Sequence, residues 1–181
     1  MKALISIDYT NDFIAGNGAL TIAPAGALIE LALVKLTKSF IDDNHLVVFA
    51  IDAHHPFDKF HPENQLFPPH NIIGSEGQKL YGSLNQFYLQ NQSSPDVYWL
   101  NKRHYSAFCG TDLDLRLRER HITELHLTGV CTDICVLHTA IDAYNLGYQI
   151  IVHKNAVASF NPAGNQFALN HFQHALGASV I

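Results

Sequence analysis

The thiol of Cys135 is this chain's best candidate for nucleophilic chemistry, and the residues around it are arranged as such a group requires. Within residues 124–148, ELHLTGVCTDICVLHTAIDAYNLGY, an alternating β-prone run over 124–128 is broken by Gly129. From Asp133 onward, Ile134, Leu137, Ile141 and Leu146 recur at roughly helical spacing. Cys135 is thereby predicted in the first turn of a helix, where unpaired N–H groups and the positive dipole end favour an anion. Its thiol is expected to ionise below the free-cysteine value of about 8.5. Attack on an amide or ester also needs a proton acceptor and a cation close by. Asp8, at the end of the apolar run ALISI, could take the thiol proton and deliver it to a leaving amine. Lys102, just past VYWL, could offset the charge of a carboxylate–thiolate pair. Backbone N–H groups near Cys131 and Cys135 are candidates to hold an oxyanion. The plain alternatives are a core cysteine, a turn aspartate and a surface lysine.

A second set of donors lies between residues 52 and 70. Asp52 and His54 are two apart, so in extended chain they point the same way. Glu63 and His70 can fold back towards them, and a mixed Asp/His/Glu set suits zinc, manganese or iron. His55 and His61 occupy the same stretch, so spacing alone does not select the ligands.

The elements that must position these groups follow from the apolar pattern. Strands are predicted at 3–7, 46–51, 97–100, 124–128, 148–152 and 178–181. Helices are predicted at 27–40, 75–89, 111–120, from 133 onward, and 167–176. Thr111 and Asp114 form a capping-box-like start to the third, and residues 9–12 read as a polar turn. A loop over 53–73, rich in His, Pro, Phe and Asn, is long enough to be functional. Apolar strands alternating with helices imply an α/β fold, a mostly parallel six-stranded sheet covered on both faces. Ligands of such sheets bind beyond the carboxyl ends of the strands. Asp8, Asp52, Lys102 and the Cys135 turn all follow strands, and so converge on that edge.

Composition narrows the function class. The 181 residues are 48% hydrophobic and 15% charged, with a formal charge of -5, and predict one globular domain over 1–181. Arg116, Arg118 and Arg120 alternate with acids and leucines, so nucleic acid is not an expected partner. No apolar run approaches the ~18 residues of a membrane span. Three cysteines do not make a secreted disulfide framework, and MKALISIDYT reads as a strand rather than a signal peptide, so the cytoplasm is the expected location.

The segments ISIDYTNDF, DAHH, FHPENQLFPPH, KRHYSAFCGTDLDLRLRER and TGVCTDICVLHTAIDA together resemble the isochorismatase-like cysteine hydrolases. More narrowly, they are similar to the nicotinamidases (pyrazinamidases) of lactic-acid bacteria and streptococci, over nearly the whole chain. The resemblance implies a three-layer, doubly wound fold and a catalytic triad of Asp8, Lys102 and Cys135. It also implies a divalent metal, most often zinc with manganese and iron(II) as the other candidates, on Asp52, His54 and His70, with Glu63 a further ligand. A cis peptide between Val130 and Cys131 would aim an oxyanion donor, and Phe13, Phe67 and Tyr105 would wall a pyridine ring. The implied reaction is hydrolysis of nicotinamide to nicotinate and ammonia through a Cys135 thioester, with the metal holding the pyridine nitrogen. Pyridine-nucleotide (NAD) salvage and a homo-oligomer accompany that reading. Cys131 departs from the aliphatic residue common in close relatives, and its oxidation with Cys135 would make activity redox-sensitive. Two other readings share the pattern: a hydrolase of another amide or of a vinyl ether, and a non-catalytic metal- or ligand-binding module.

Overall fold

The computed structural model describes all 181 residues. Its centre is a six-stranded sheet formed by β1 (Ala3–Ile7), β2 (Leu46–Asp52), β3 (Val97–Lys102), β4 (Glu124–Val130), β5 (Gln149–Ala158) and β6 (Ser179–Val180). The strand order is β3-β2-β1-β4-β5-β6, and every pairing is parallel. The expected mostly parallel sheet is therefore wholly parallel. The central strands β1 and β2 are buried along their full length, as strands covered on both faces must be.

Successive side chains divide between two cores with the period of two that a strand imposes. Ala3, Ile5, Ile7, Val48 and Ala50 pack under α5 (Leu113–Glu119), α6 (Leu137–Asn145) and α7 (Pro162–His174). Leu4, Val47, Phe49 and Ile51 face α3 (Glu30–Asp42) and α4 (Gly82–Asn91). Two short helices, α1 (Asn11–Ile14) and α2 (Ala25–Leu28), lie between β1 and α3.

Several boundaries differ from the sequence reading, each for a local reason. Part of the polar turn at 9–12 is helical, as α1. The helix expected at 27–40 is divided at Ile29, and Glu30 at the start of α3 accepts a hydrogen bond from the Ser83 N–H of α4 at 2.8 Å. The helix expected at 75–89 begins only at Gly82, whose φ of +58° belongs to the left-handed region. Gly77, before it, lies against Asp12: an added Cβ would stand 2.1 Å from Asp12 Oδ2. Thr111 does not close a capping box: its hydroxyl accepts from Leu113 N–H, while Asp114 pairs with Arg118. The last helix starts earlier than expected, because the Asn161 side chain caps it and Pro162 fills its first position. Its first turn lacks the apolar spacing that marks residues 167–176.

Gly129 does not end β4. It takes φ +108° and carries the strand to Val130, with a register shift against β5 between Leu127 and Gly129. A Cβ there would sit 1.9 Å from the Ile7 carbonyl oxygen, so the close approach of β4 to β1 requires glycine. In this order the sheet reverses between β1 and β4, and ligands of doubly wound sheets bind at that switch point.

Candidate active site

The carboxyl ends of β1 to β4 bring the sequence-selected groups together. Asp52 and Lys102 end adjacent strands and pair in register. Asp8 follows β1 and has φ +54°, an uncommon conformation for an aspartate that recurs at functional sites. Its Oδ1 accepts the Asp52 N–H at 2.7 Å, and its Oδ2 lies 2.8 Å from Lys102 Nζ. Lys102 Nζ stands 3.8 Å from Cys135 Sγ and 3.4 Å from Asp52 Oδ1, and donates to the His104 carbonyl at 3.2 Å. Asp8 and Lys102 are wholly buried, and Cys135 is nearly so.

Cys135 sits in a wide π-helical turn, Thr132–Val136, that leads into α6. The expected lowering of its pKa is not what these surroundings produce. Burial pushes the thiol well above its ordinary value; Lys102 pulls it down, while Asp8 and Asp52 push it further up. Removing water from the sulfur outweighs the helix-end effect. Asp8 is raised to about 6, through burial against the pull of Lys102 and with Asp52 adding to the rise. At neutral pH the resting pair is thus a carboxylate beside a thiol. Burial works against the Lys102 charge, but Asp52 and Asp8 outweigh it and hold the ammonium well above its ordinary pKa.

The peptide between Val130 and Cys131 is cis. Cys131 is buried, all three cysteines are free thiols, and burial with Asp133 nearby pushes the Cys131 thiol up to about 12. That works against its oxidation.

Next to Asp8 and Lys102, one ligand atom from each of Asp52, His54, Glu63 and His70 lies within 4.8 Å of the others, and all four residues are buried. His54 Nε2 is 2.8 Å from Asp52 Oδ2. His70 Nε2 is 3.3 Å from the same oxygen and 3.6 Å from Glu63 Oε2, longer than well-formed hydrogen bonds. His70 Nδ1 donates to the Pro68 carbonyl at 2.9 Å, which fixes the ring with Nε2 towards the cluster. Burial disfavours a proton on His70, yet Asp52 and Glu63 outweigh it and raise its pKa to about 10. Two carboxylates facing two imidazoles in a dry site fit a divalent cation, which would take the place of that proton.

A cleft of about 440 Å³ opens over both groups. Asp52, Glu63, His70 and Cys135 contribute to its lining, and Phe13, Phe67 and Tyr105 wall it. Phe13 and Phe67 meet His70 edge-on, with centroids 5.5 and 6.2 Å apart. Every site residue selected from the sequence therefore lies at this one edge.

Other contributors were not selected. Leu20, Ile22, Ile134 and Phe160 complete the apolar wall, coming from a loop and turns without a chemical signature. Asp133 accepts from Ser159 Oγ at 2.6 Å and fills the space over Gly164, anchoring the Cys135 turn to the start of α7. An acid two residues before Cys135 was the only sequence sign of that tie. His55, left open as a ligand by spacing, lies outside the four-donor cluster, as does His61.

Comparison with known proteins accords with this geometry. Nicotinamidase/pyrazinamidase PncA from Bacillus subtilis superposes with a TM-score of 0.98 at 58% identity, covering 99% of this chain and 99% of that one. Pyrazinamidase/nicotinamidase from Streptococcus mutans UA159 gives 0.98 at 56% identity over the whole of both chains (100% of each). Pyrazinamidase of Pyrococcus horikoshii, solved in complex with zinc, gives 0.86 at 26% identity, covering 99% and 98%. The family model described as "Isochorismatase domain" matches residues 2–181. With that match spanning nearly every residue that builds the sheet and the cleft, the chain belongs to the isochorismatase family.

Proposed function

We propose that this chain is a nicotinamidase, an amidohydrolase that converts nicotinamide to nicotinate and ammonia. The observation that carries the reading is the joining of two groups under one aromatic-walled cleft. Asp8, Lys102 and Cys135 can cleave an amide, and the Asp52/His54/Glu63/His70 cluster can hold a cation beside them. The names of the Bacillus and Streptococcus relatives support the same substrate class.

Asp8 takes the proton from Cys135 as the sulfur adds to the amide carbon. Lys102 stays protonated and stabilises the negative charge that shifts between carboxylate and sulfur. Backbone N–H groups near Cys131 and Cys135 would stabilise the developing oxyanion. The C–N bond then breaks, the nitrogen takes the proton from Asp8, and ammonia leaves a Cys135 thioester. Asp8 next removes a proton from water, which adds to the thioester. The acid is released, and the sulfur recovers its proton. Phe13, Phe67 and Tyr105 hold the ring and exclude water, setting the carboxamide against the thiol. Asp52, His54, Glu63 and His70 would hold a divalent ion, which when bound would supply Lewis-acid chemistry to orient the pyridine ring. We favour zinc, on the donor set and on the zinc complex of the Pyrococcus relative.

The test is ammonia release from nicotinamide and a panel of other amides, with isochorismate as a vinyl-ether control, alongside metal analysis of the purified protein. Fastest turnover of nicotinamide by metal-loaded protein fits the proposal. Preference for another amide, or for isochorismate, would overturn the substrate assignment, and no turnover of any substrate would reduce the protein to a binding module.

The same reading takes residues 1–181 as one domain working in pyridine-nucleotide salvage in the cytoplasm. No helix is long and apolar enough to cross a membrane. The reading also includes a homo-oligomer, which sedimentation would measure.

A further inference from the structure

His61 is 1% exposed and lies beside the four-donor cluster without belonging to it. Both its ring nitrogens are already engaged. Nδ1 accepts the Glu63 backbone N–H at 3.3 Å, capping the short 3-10 turn Pro62–Gln65 that carries the Glu63 carboxylate. Nε2 therefore bears the ring proton and donates it to the Arg103 carbonyl, one residue past Lys102. The ring also packs edge-on against His54, centroids 4.5 Å apart at 86°, and lies nearly parallel to His104 at 5.8 Å. One imidazole thus touches a metal-ligand candidate, holds the backbone of another, and grips the strand end that bears the Lys102 ammonium.

We infer that His61 is a positioning residue that fixes Glu63 for metal binding and sets the metal cluster in register with Lys102. The inference rests on the metal site of the proposed function, but not on the identity of the substrate. Partners that hold metal ligands in place typically change metal affinity by about 10–100-fold when removed. Asparagine at 61 can still accept the Glu63 N–H but is too short to reach the Arg103 carbonyl. Glutamine can reach that carbonyl but is a poor cap.

The experiment is zinc affinity by competition with a chromophoric chelator, on the full chain. His61→Ala is expected to weaken zinc binding by about 10–100-fold and His61→Asn to recover most of the loss. In a Glu63→Gln background, His61→Ala is expected to cost little more, because the two act through one ligand. At saturating zinc, His61→Ala is expected to raise KM for nicotinamide more than it lowers kcat. Wild-type zinc affinity in a folded His61→Ala protein would overturn the inference, as would losses that simply add in the double variant. Should His61→Ala fail to fold, His61→Gln against His61→Asn makes the same comparison, and equal affinities would again overturn it. Zinc affinities that follow this pattern in a protein that hydrolyses no nicotinamide would leave the inference standing and defeat the substrate assignment instead.

Discussion

Asp52 and Lys102 face each other across the β2–β3 pairing, with Oδ1 3.4 Å from Nζ, while the other Asp52 oxygen turns to His54 at 2.8 Å. One carboxylate therefore belongs to both the four-donor cluster and the charge network around Cys135. Burial alone would raise its pKa, but Lys102 and the two imidazoles outweigh that and hold it ionised, well below the usual carboxylate range. The arrangement keeps two buried acids, Asp8 and Asp52, beside one buried base.

Lys102→Met leaves those two acids without their shared cation. Breaking a buried pair typically costs about 3–5 kcal/mol. Thermal unfolding should register that loss, and ammonia release should fall by about 10²–10³-fold as an electrostatic stabiliser disappears. A Lys102→Met protein with unchanged melting temperature and rate would show that the ammonium carries neither role.

The pH dependence of kcat/KM should follow Asp8. With its pKa near 6, the carboxylate can accept the Cys135 proton above that pH and is blocked below it. The rate should rise with pH through about 6 and then level off, a limb that Asp8→Asn abolishes together with about 10²–10⁴-fold of kcat. A rate that stays flat from pH 5 to 8 would exclude Asp8 as the base.

At the opposite end of the sheet, His126 Nδ1 and His153 Nε2 lie 2.7 Å apart, within hydrogen-bond distance. Glu124 and Lys2 adjoin the pair, with His45 nearby. Burial lowers both imidazoles, His153 to about 4, with His126 adding to its fall. Above the unfolded value of about 6.5 the pair's full contribution to stability is present. As pH falls from there through about 4, the unfolded chain takes up protons that the folded pair refuses, and stability drops. After solvent screening of this half-buried pair, the loss should be on the order of 1–2 kcal/mol. Denaturant unfolding between pH 7 and 4 measures it, and His153→Gln should flatten the slope; an identical slope in that variant would refute the assignment.

Gly129→Ala should be among the most damaging small substitutions in the chain. Its Cβ would meet the Ile7 carbonyl oxygen, in a conformation that L residues rarely adopt. Separation of β4 from β1 would displace Asp8 and the Cys131 backbone together. Soluble yield and melting temperature are the readouts, and a variant as stable as the parent would mean that the strands tolerate the extra methyl.

The chemistry was legible because Asp8, Asp52 and Lys102 stand at or just past the ends of apolar runs and the Cys135 turn follows another. A parallel sheet turns that pattern into one edge. Asp52 and His54 were legible from their two-residue spacing in extended chain. What sequence did not give was set by contacts distant along the chain. The Cys135 pKa depends on burial beneath Lys102 and Asp8 rather than on its helix turn. The late start of α4 depends on Gly82 and on Asp12 against Gly77, and His61 is set apart from the four-donor cluster by its position and by its bonds to Glu63 and Arg103.

Cys135→Ala separates a sulfur nucleophile from a four-donor cluster that would only position the ring. Nicotinamide deamidation, measured as ammonia release, should fall by about a thousandfold or more. Bound metal and nicotinamide affinity should stay near those of the parent. A Cys135→Ala protein that still releases ammonia at close to the parent rate would exclude sulfur as the nucleophile.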